Sequence, residues 1–107
     1  MSQVVPVDDA NFESEVLQSS SPVLADFSAT WCGPCKKLEP LIEEIAGDYD
    51  GRFKVVKVDV DKARNVAARF NVMSVPTVIL FEGGQVKDQV VGLVSKRALT
   101  DRMDKVL

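Results

Sequence analysis

The two cysteines of this 107-residue chain stand three apart in "FSATWCGPCKK", residues 27 to 37, with Gly33 and Pro34 between them. Thiols at i and i+3 lie one above the other on the first turn of a helix, with Cα atoms roughly 5 to 6 Å apart, within disulfide range. Cys32 and Cys35 can therefore close a bond without moving the backbone. The strand-like "LADFSA" ends just before them and an apolar-periodic segment begins just after, which sets Cys32 at a helix N-terminus. Unpaired N–H groups and the helix dipole favour negative charge there, and the thiolate is the reactive form of cysteine. Cys32 reads as the exposed, acidic nucleophile. Cys35, one turn further in with a covered sulfur, reads as the thiol that resolves a mixed disulfide. Gly33 leaves room for a substrate chain, and Pro34 suits a first turn whose N–H would have no partner.

Other uses of the pair stay open at this level. A structural disulfide would close too small a loop to constrain the unfolded chain much. Zinc needs four ligands, so two cysteines would have to be completed by a second copy of the chain. The sequence contains no histidine, which removes Ser-His-Asp and Cys-His arrangements, His-liganded zinc and the histidine proton shuttle. No metal or cofactor is expected.

Other groups must then assist the thiols. Asp26 interrupts the apolar "VLADFSA", where an unpaired buried carboxylate is costly. It is either a strand-edge aspartate bonded to nearby backbone or a carboxyl group held beneath the cysteines. In the second case desolvation raises its pKa and fits it to exchange a proton near neutral pH. Lys57, between Val56 and Val58, is a candidate partner for Asp26 across neighbouring strands, unless its ammonium snorkels to water. In "SVPT", Pro76 precedes a strand. A tight X-Pro turn there accommodates a cis peptide and presents backbone to an extended substrate. Gly92, closing "VVG", is a second close-approach position or a strand end. Trp31, the single tryptophan, reads as docking surface rather than core.

These residues need a frame, and the hydrophobic periods supply one. "QVVPV" is a first strand, and Asp8 or Asp9 is placed to cap a helix with Phe12, Val16 and Leu17 on its apolar face. "PVLADFSA" is a second strand. A long helix follows the cysteines, with Leu38, Leu41, Ile42, Ile45 and Tyr49 at helical spacing and Pro40 inside it. "RFKVVKVDV" has the continuous apolar run of a central strand. Asp61 is placed to cap a short helix through Val66, Ala67 and Phe70. "TVILF", "EGG" and "QVKDQVVG" read as an antiparallel hairpin, and Ser95 caps a last helix bearing Leu99, Met103 and Val106. The order β-α-β-α-β-α-β-β-α predicts an α/β fold with a mixed sheet covered on both faces. The length, the 46% hydrophobic content and the absence of a linker predict one domain over residues 1 to 107.

A formal charge of −3 without a basic run argues against nucleic acid or anionic membrane as partners. No apolar run has the length of a membrane span, and the first twenty residues carry acids but no lysine or arginine, unlike a secretory signal. The expectation is a cytoplasmic monomer, and in a reducing compartment a cysteine pair is more often catalytic than structural.

"WCGPC", with "ADF" upstream, "VDVD" in mid-chain, "SVPT" before a strand and "FEGG" in the hairpin, resembles the thioredoxin family over essentially the whole length. The resemblance implies a thioredoxin fold, a five-stranded mixed sheet with about four helices, and a cis peptide at Val75–Pro76. It implies Cys32 as attacking thiol, Cys35 as resolving thiol and Asp26 as buried acid-base group. Gly33 and Pro34 would tune the redox potential, and Trp31, Val75, Pro76, Gly92 and Leu93 would form a substrate groove. The implied activity is reduction of disulfides in target proteins through a reversible Cys32–Cys35 disulfide, restored by a thioredoxin reductase. A non-catalytic binding module on the same fold is the alternative. The chain departs from many family members at Ser28, where a second tryptophan is common, and at Ser74, where glycine is frequent.

Overall fold

The computed structural model describes residues 3–107. Its spine is β2 (Val23–Ser28), all six residues of which are buried. Parallel to it on one side run β3 (Lys54–Asp59) and then β1 (Val5–Val7), while on the other β4 (Thr77–Glu82) pairs antiparallel with β2 and β5 (Gln85–Val91) antiparallel with β4, giving the order β1-β3-β2-β4-β5. The helical segments are a π-helical turn (Glu13–Leu17), α1 (Gly33–Asp48), α2 (Arg64–Arg69) and α3 (Lys96–Val106). The expected five-stranded mixed sheet with four helical segments is therefore the observed one.

Alternation along the strands divides the core in two. Leu24, Val55, Val78 and Leu80 meet Leu38, Ile42 and Ile45 of α1 and Leu99 and Met103 of α3. From the other face, Ala25, Phe27, Val56, Val58, Ile79 and Phe81 meet Phe12, Val16 and Val66. There the Phe12, Phe70 and Phe81 rings pack with centroids 5.2 to 5.9 Å apart, in the tilted and edge-on arrangements that the ring quadrupole favours. Each such side chain stabilises the fold by roughly 1.5–3 kcal/mol, so the sheet can carry a few polar residues inside. Asp26 and Ser28 are two of them, and they follow Leu24 on the side covered by α1.

Between β4 and β5, Gly83 (φ +60°) and Gly84 (φ +78°) both take positive φ. That is the requirement of a two-residue type I′ turn, whose twist matches the strands it joins.

Two capping expectations are corrected. Neither Asp8 nor Asp9 caps the first helical segment. Asp8 Oδ1 instead accepts the Ala10 and Asn11 N–H groups in the preceding loop. Asp9 reaches across the molecule to the start of α2, where its carboxylate accepts the Asn65 and Val66 N–H groups at 3.3 and 3.0 Å. Asp61, read as the cap of α2, accepts the Trp31 indole N–H instead, at 3.0 Å. Ser95 does cap α3, its Oγ accepting the Ala98 N–H at 3.1 Å.

Candidate active site

The central strand β2 ends at Ser28, and Cys32 turns the chain into α1 as the N-cap residue, with extended backbone (φ −96°, ψ 113°). Gly33 and Pro34 occupy the first positions of the helix. Cys32 and Cys35 are joined as a disulfide with Cα atoms 5.3 Å apart, as i, i+3 placement requires. The Cys35 N–H donates to Cys32 Sγ at 3.2 Å. The sulfur of Cys32 thus takes the place of a capping oxygen and receives one of the helix's otherwise unpaired donors.

Burial does not separate the two thiols. Both residues are 5% exposed, because the closed disulfide packs against Ala29, Val60 and Val75. The expected contrast of an exposed Cys32 and a covered Cys35 is absent from the disulfide form. What distinguishes Cys32 is its surroundings: its Sγ accepts the helix N–H and lies 3.8 Å from the Val75 carbonyl oxygen.

Val75–Pro76 is a cis peptide bond, in a loop where the Thr77 hydroxyl donates to the Ser74 carbonyl at 2.7 Å. The Gly92 N–H donates to the Pro76 carbonyl at 2.8 Å. Gly92 has φ +95° and nothing within 4 Å of where a Cβ would stand, so conformation rather than close approach calls for glycine there. Gly33 likewise has open space at its Cβ position. Trp31 is 70% exposed, and Leu93, Val91 and Met73 are exposed as well. A shallow groove of about 140 Å³ runs between Trp31, Val60, Val72, Met73 and Val75, beside the disulfide.

Asp26, in the β2 strand that leads into the cysteine turn, is 2% exposed, with an Oδ1 atom that has no hydrogen-bond partner among the described residues. Burial pushes its pKa up to about 7; Lys57 pulls it down and Glu39 adds a smaller upward push. The Oγ of Ser28, at the departure from the family pattern, is also buried without a partner among the described residues.

Lys57 stands beside Asp26 in the β2–β3 ladder, as the cross-strand reading requires, but its ammonium is not bonded to that carboxylate. It donates to Glu39 Oε1 of α1 at 3.0 Å. The reason is reach: the long Lys57 side chain extends past its short neighbour to the half-exposed carboxylate of the helix above. A cleft of about 300 Å³ opens there, lined by Ala29, Thr30, Cys35, Lys36, Glu39 and Lys57.

Glu39 and Asp61 are site-adjacent residues that sequence reasoning missed. Glu39 had a readable signal, since it is four residues after Cys35 and so shares its face of the helix. Asp61 had none, because thirty residues separate it from the indole it holds.

A family model described as Thioredoxin matches residues 3–105. "Thioredoxin 1" of Nostoc sp. is 47% identical over 107 residues, covering all of both chains. "Thioredoxin" of Synechocystis sp. is 45% identical over the same span, again covering both chains completely. "Thioredoxin" of Staphylococcus haemolyticus is 48% identical over 104 residues, 97% of this chain and 98% of that one.

Proposed function

The chain belongs to the thioredoxin family, and from that premise we propose how its residues divide the work of thiol-disulfide exchange. The protein is a dithiol-disulfide oxidoreductase with a redox-active Cys32–Cys35 pair, and its family implies disulfide-containing target proteins and a thioredoxin reductase as partners. In the reduced protein the Cys32 thiolate attacks one sulfur of a target disulfide. A Cys32–target bond forms, the target's S–S bond breaks, and the first target thiolate leaves and takes up a proton. Cys35 then passes its proton to the Asp26 carboxylate, directly or through water, and attacks Cys32 Sγ. The Cys32–Cys35 bond closes, and the second target thiolate departs and is protonated. The target gains two electrons and the protein loses two. The reductase returns them, since no nucleotide-binding glycine motif is present in the sequence.

The observation that carries this division is the Cys35 N–H aimed at Cys32 Sγ at 3.2 Å on the N-terminus of α1, which favours a thiolate at Cys32. Gly33 and Pro34 shape that first turn and so tune the potential. Trp31, Val75, Pro76, Gly92 and Leu93 form the surface on which the extended target segment lies. Lys57 acts on Asp26 through its charge alone. The protein works as a cytoplasmic monomer and a single domain, without nucleic acid or membrane partners. In support, no helix of the described residues is long and apolar enough to cross a membrane.

Insulin reduction with dithiothreitol tests the reading. The parent accelerates precipitation of the insulin chains, Cys32→Ser abolishes the acceleration, and Cys35→Ser accumulates a mixed disulfide on Cys32. Equal inactivity of the parent and Cys32→Ser would leave only the binding module.

A further inference from the structure

Charged groups on three elements meet beside the Cys35 cleft: Glu39 and Lys57 line it, and Asp26 adjoins Lys57 in the sheet. Asp26 of β2 and Lys57 of β3 are ladder neighbours, so their side chains leave the sheet on the same side, toward α1. Glu39 of α1 lies one turn beyond Cys35 and lines the same cleft as Cys35 and Lys57. The Lys57 ammonium has two carboxylates within its field, the buried Asp26 beside it in the ladder and Glu39 of the helix above. It is bonded to Glu39, at 3.0 Å, and Asp26 Oδ1 has no partner among the described residues.

We propose that Glu39 is a positioning residue of the resolving step: it anchors the Lys57 ammonium at the cleft mouth, so that the Asp26 carboxyl keeps no direct cation partner and stays available to Cys35. This rests on the proton role of Asp26 proposed above. The step is the transfer of the Cys35 thiol proton to the Asp26 carboxylate, followed by attack of the Cys35 thiolate on Cys32 Sγ and release of the target thiolate. A carboxylate clamped by an ammonium would be a weaker base for it. The other groups facing Asp26 do not replace Glu39. β4 offers apolar Val78, β3 offers Lys57, and α1 adds Lys36 at the cleft wall, a second cation that cannot hold the Lys57 ammonium. The upward push of Glu39 on the Asp26 pKa and the downward pull of Lys57 agree with this geometry.

Glu39 and Lys57 are about half exposed, and pairs of that kind contribute little to stability, so Glu39→Gln should fold like the parent. Two readouts are needed: the Asp26 carboxyl followed by ¹³C NMR against pH, and the pH profile of single-turnover resolution of a preformed Cys32 mixed disulfide. In Glu39→Gln both midpoints should fall by roughly one pH unit, at the low end of what an opposite charge at contact does to a carboxyl. Glu39→Asp should restore much of the parent profile. In a Lys57→Met background, Glu39→Gln should move the midpoints less than half as far, because the ammonium it positions is gone. Unmoved midpoints in Glu39→Gln would overturn the proposal. So would equal shifts in both backgrounds, which would make Glu39 a mere charge. A carboxyl midpoint that moves while the resolution profile stays fixed would instead sink the proton role of Asp26, with the placement of Lys57 by Glu39 left standing.

Discussion

Leu24, Asp26 and Ser28 share one side of β2, and only the first is apolar. For Asp26 the cost depends on pH, with a definite sign. Its pKa rises from an ordinary 3.8 to about 7 in the folded protein. Below 3.8 the group is neutral in both folded and unfolded chains, and burial carries no ionic penalty. Between 3.8 and 7 the unfolded chain releases a proton that the folded chain keeps, so stability falls as pH rises, and above 7 the loss is complete. The gap between the two values corresponds to roughly 4 kcal/mol. Asp26→Asn, neutral throughout, should therefore match the parent in urea unfolding near pH 4. It should exceed the parent progressively up to pH 7 and by a constant margin of a few kcal/mol above it. A margin that did not grow with pH would mean that Asp26 is not neutral in the folded protein. The same substitution should slow resolution of the mixed disulfide, so one residue trades stability for a proton site.

At the scale of elements, helix ends show where local sequence rules stop. Cys32 and Ser95 cap the helices that immediately follow them, and both were readable because the capping atom lies within three residues of its donor. α2 is different: its N-cap position, Ala63, offers no side-chain acceptor, and the carboxylate that serves it comes from Asp9, 56 and 57 residues away. Nothing in the local pattern of "DKARNVAARF" carries that information, and Asp61 looked like the cap only because it preceded an apolar period. The strands were legible for the opposite reason. Two-sided burial demands continuous apolar runs, as in β2 and β3, and "FEGG" demands positive φ at its glycines. Cys32, Cys35 and Asp26 were legible because each breaks the pattern of its segment. The anchoring of Lys57 by Glu39 was not, since it depends on how far α1 lies above the sheet. Asp9→Ala should cost about 1 kcal/mol and raise hydrogen exchange at the Asn65 and Val66 amides, while Asp61→Ala should leave those amides protected. Protection unchanged in Asp9→Ala would mean that α2 holds its first turn without a cap.

At the scale of the molecule, the two cores meet through the sheet alone. Consecutive residues of β2 serve opposite faces, Leu24 for the α1 and α3 side and Ala25 for the side of the π-helical turn, and the same holds for Val55 and Val56 of β3. Neither core can dissolve without stripping one side of strands whose other side the second core needs. The chain should therefore unfold as one unit, with no state in which a single face is lost. Trp31 reports on the active-site end and Tyr49 on the α1–α3 core, where its hydroxyl donates to Asp104 at 2.6 Å; far-ultraviolet circular dichroism reports on all the elements. Their urea transitions should coincide. Phe81→Ala on one face and Ile42→Ala on the other should each destabilise by roughly 2–5 kcal/mol and shift every probe together. If Phe81→Ala separated the transitions, with the Tyr49 signal persisting beyond the loss of dichroism, the α1–α3 face would be a folding unit in its own right.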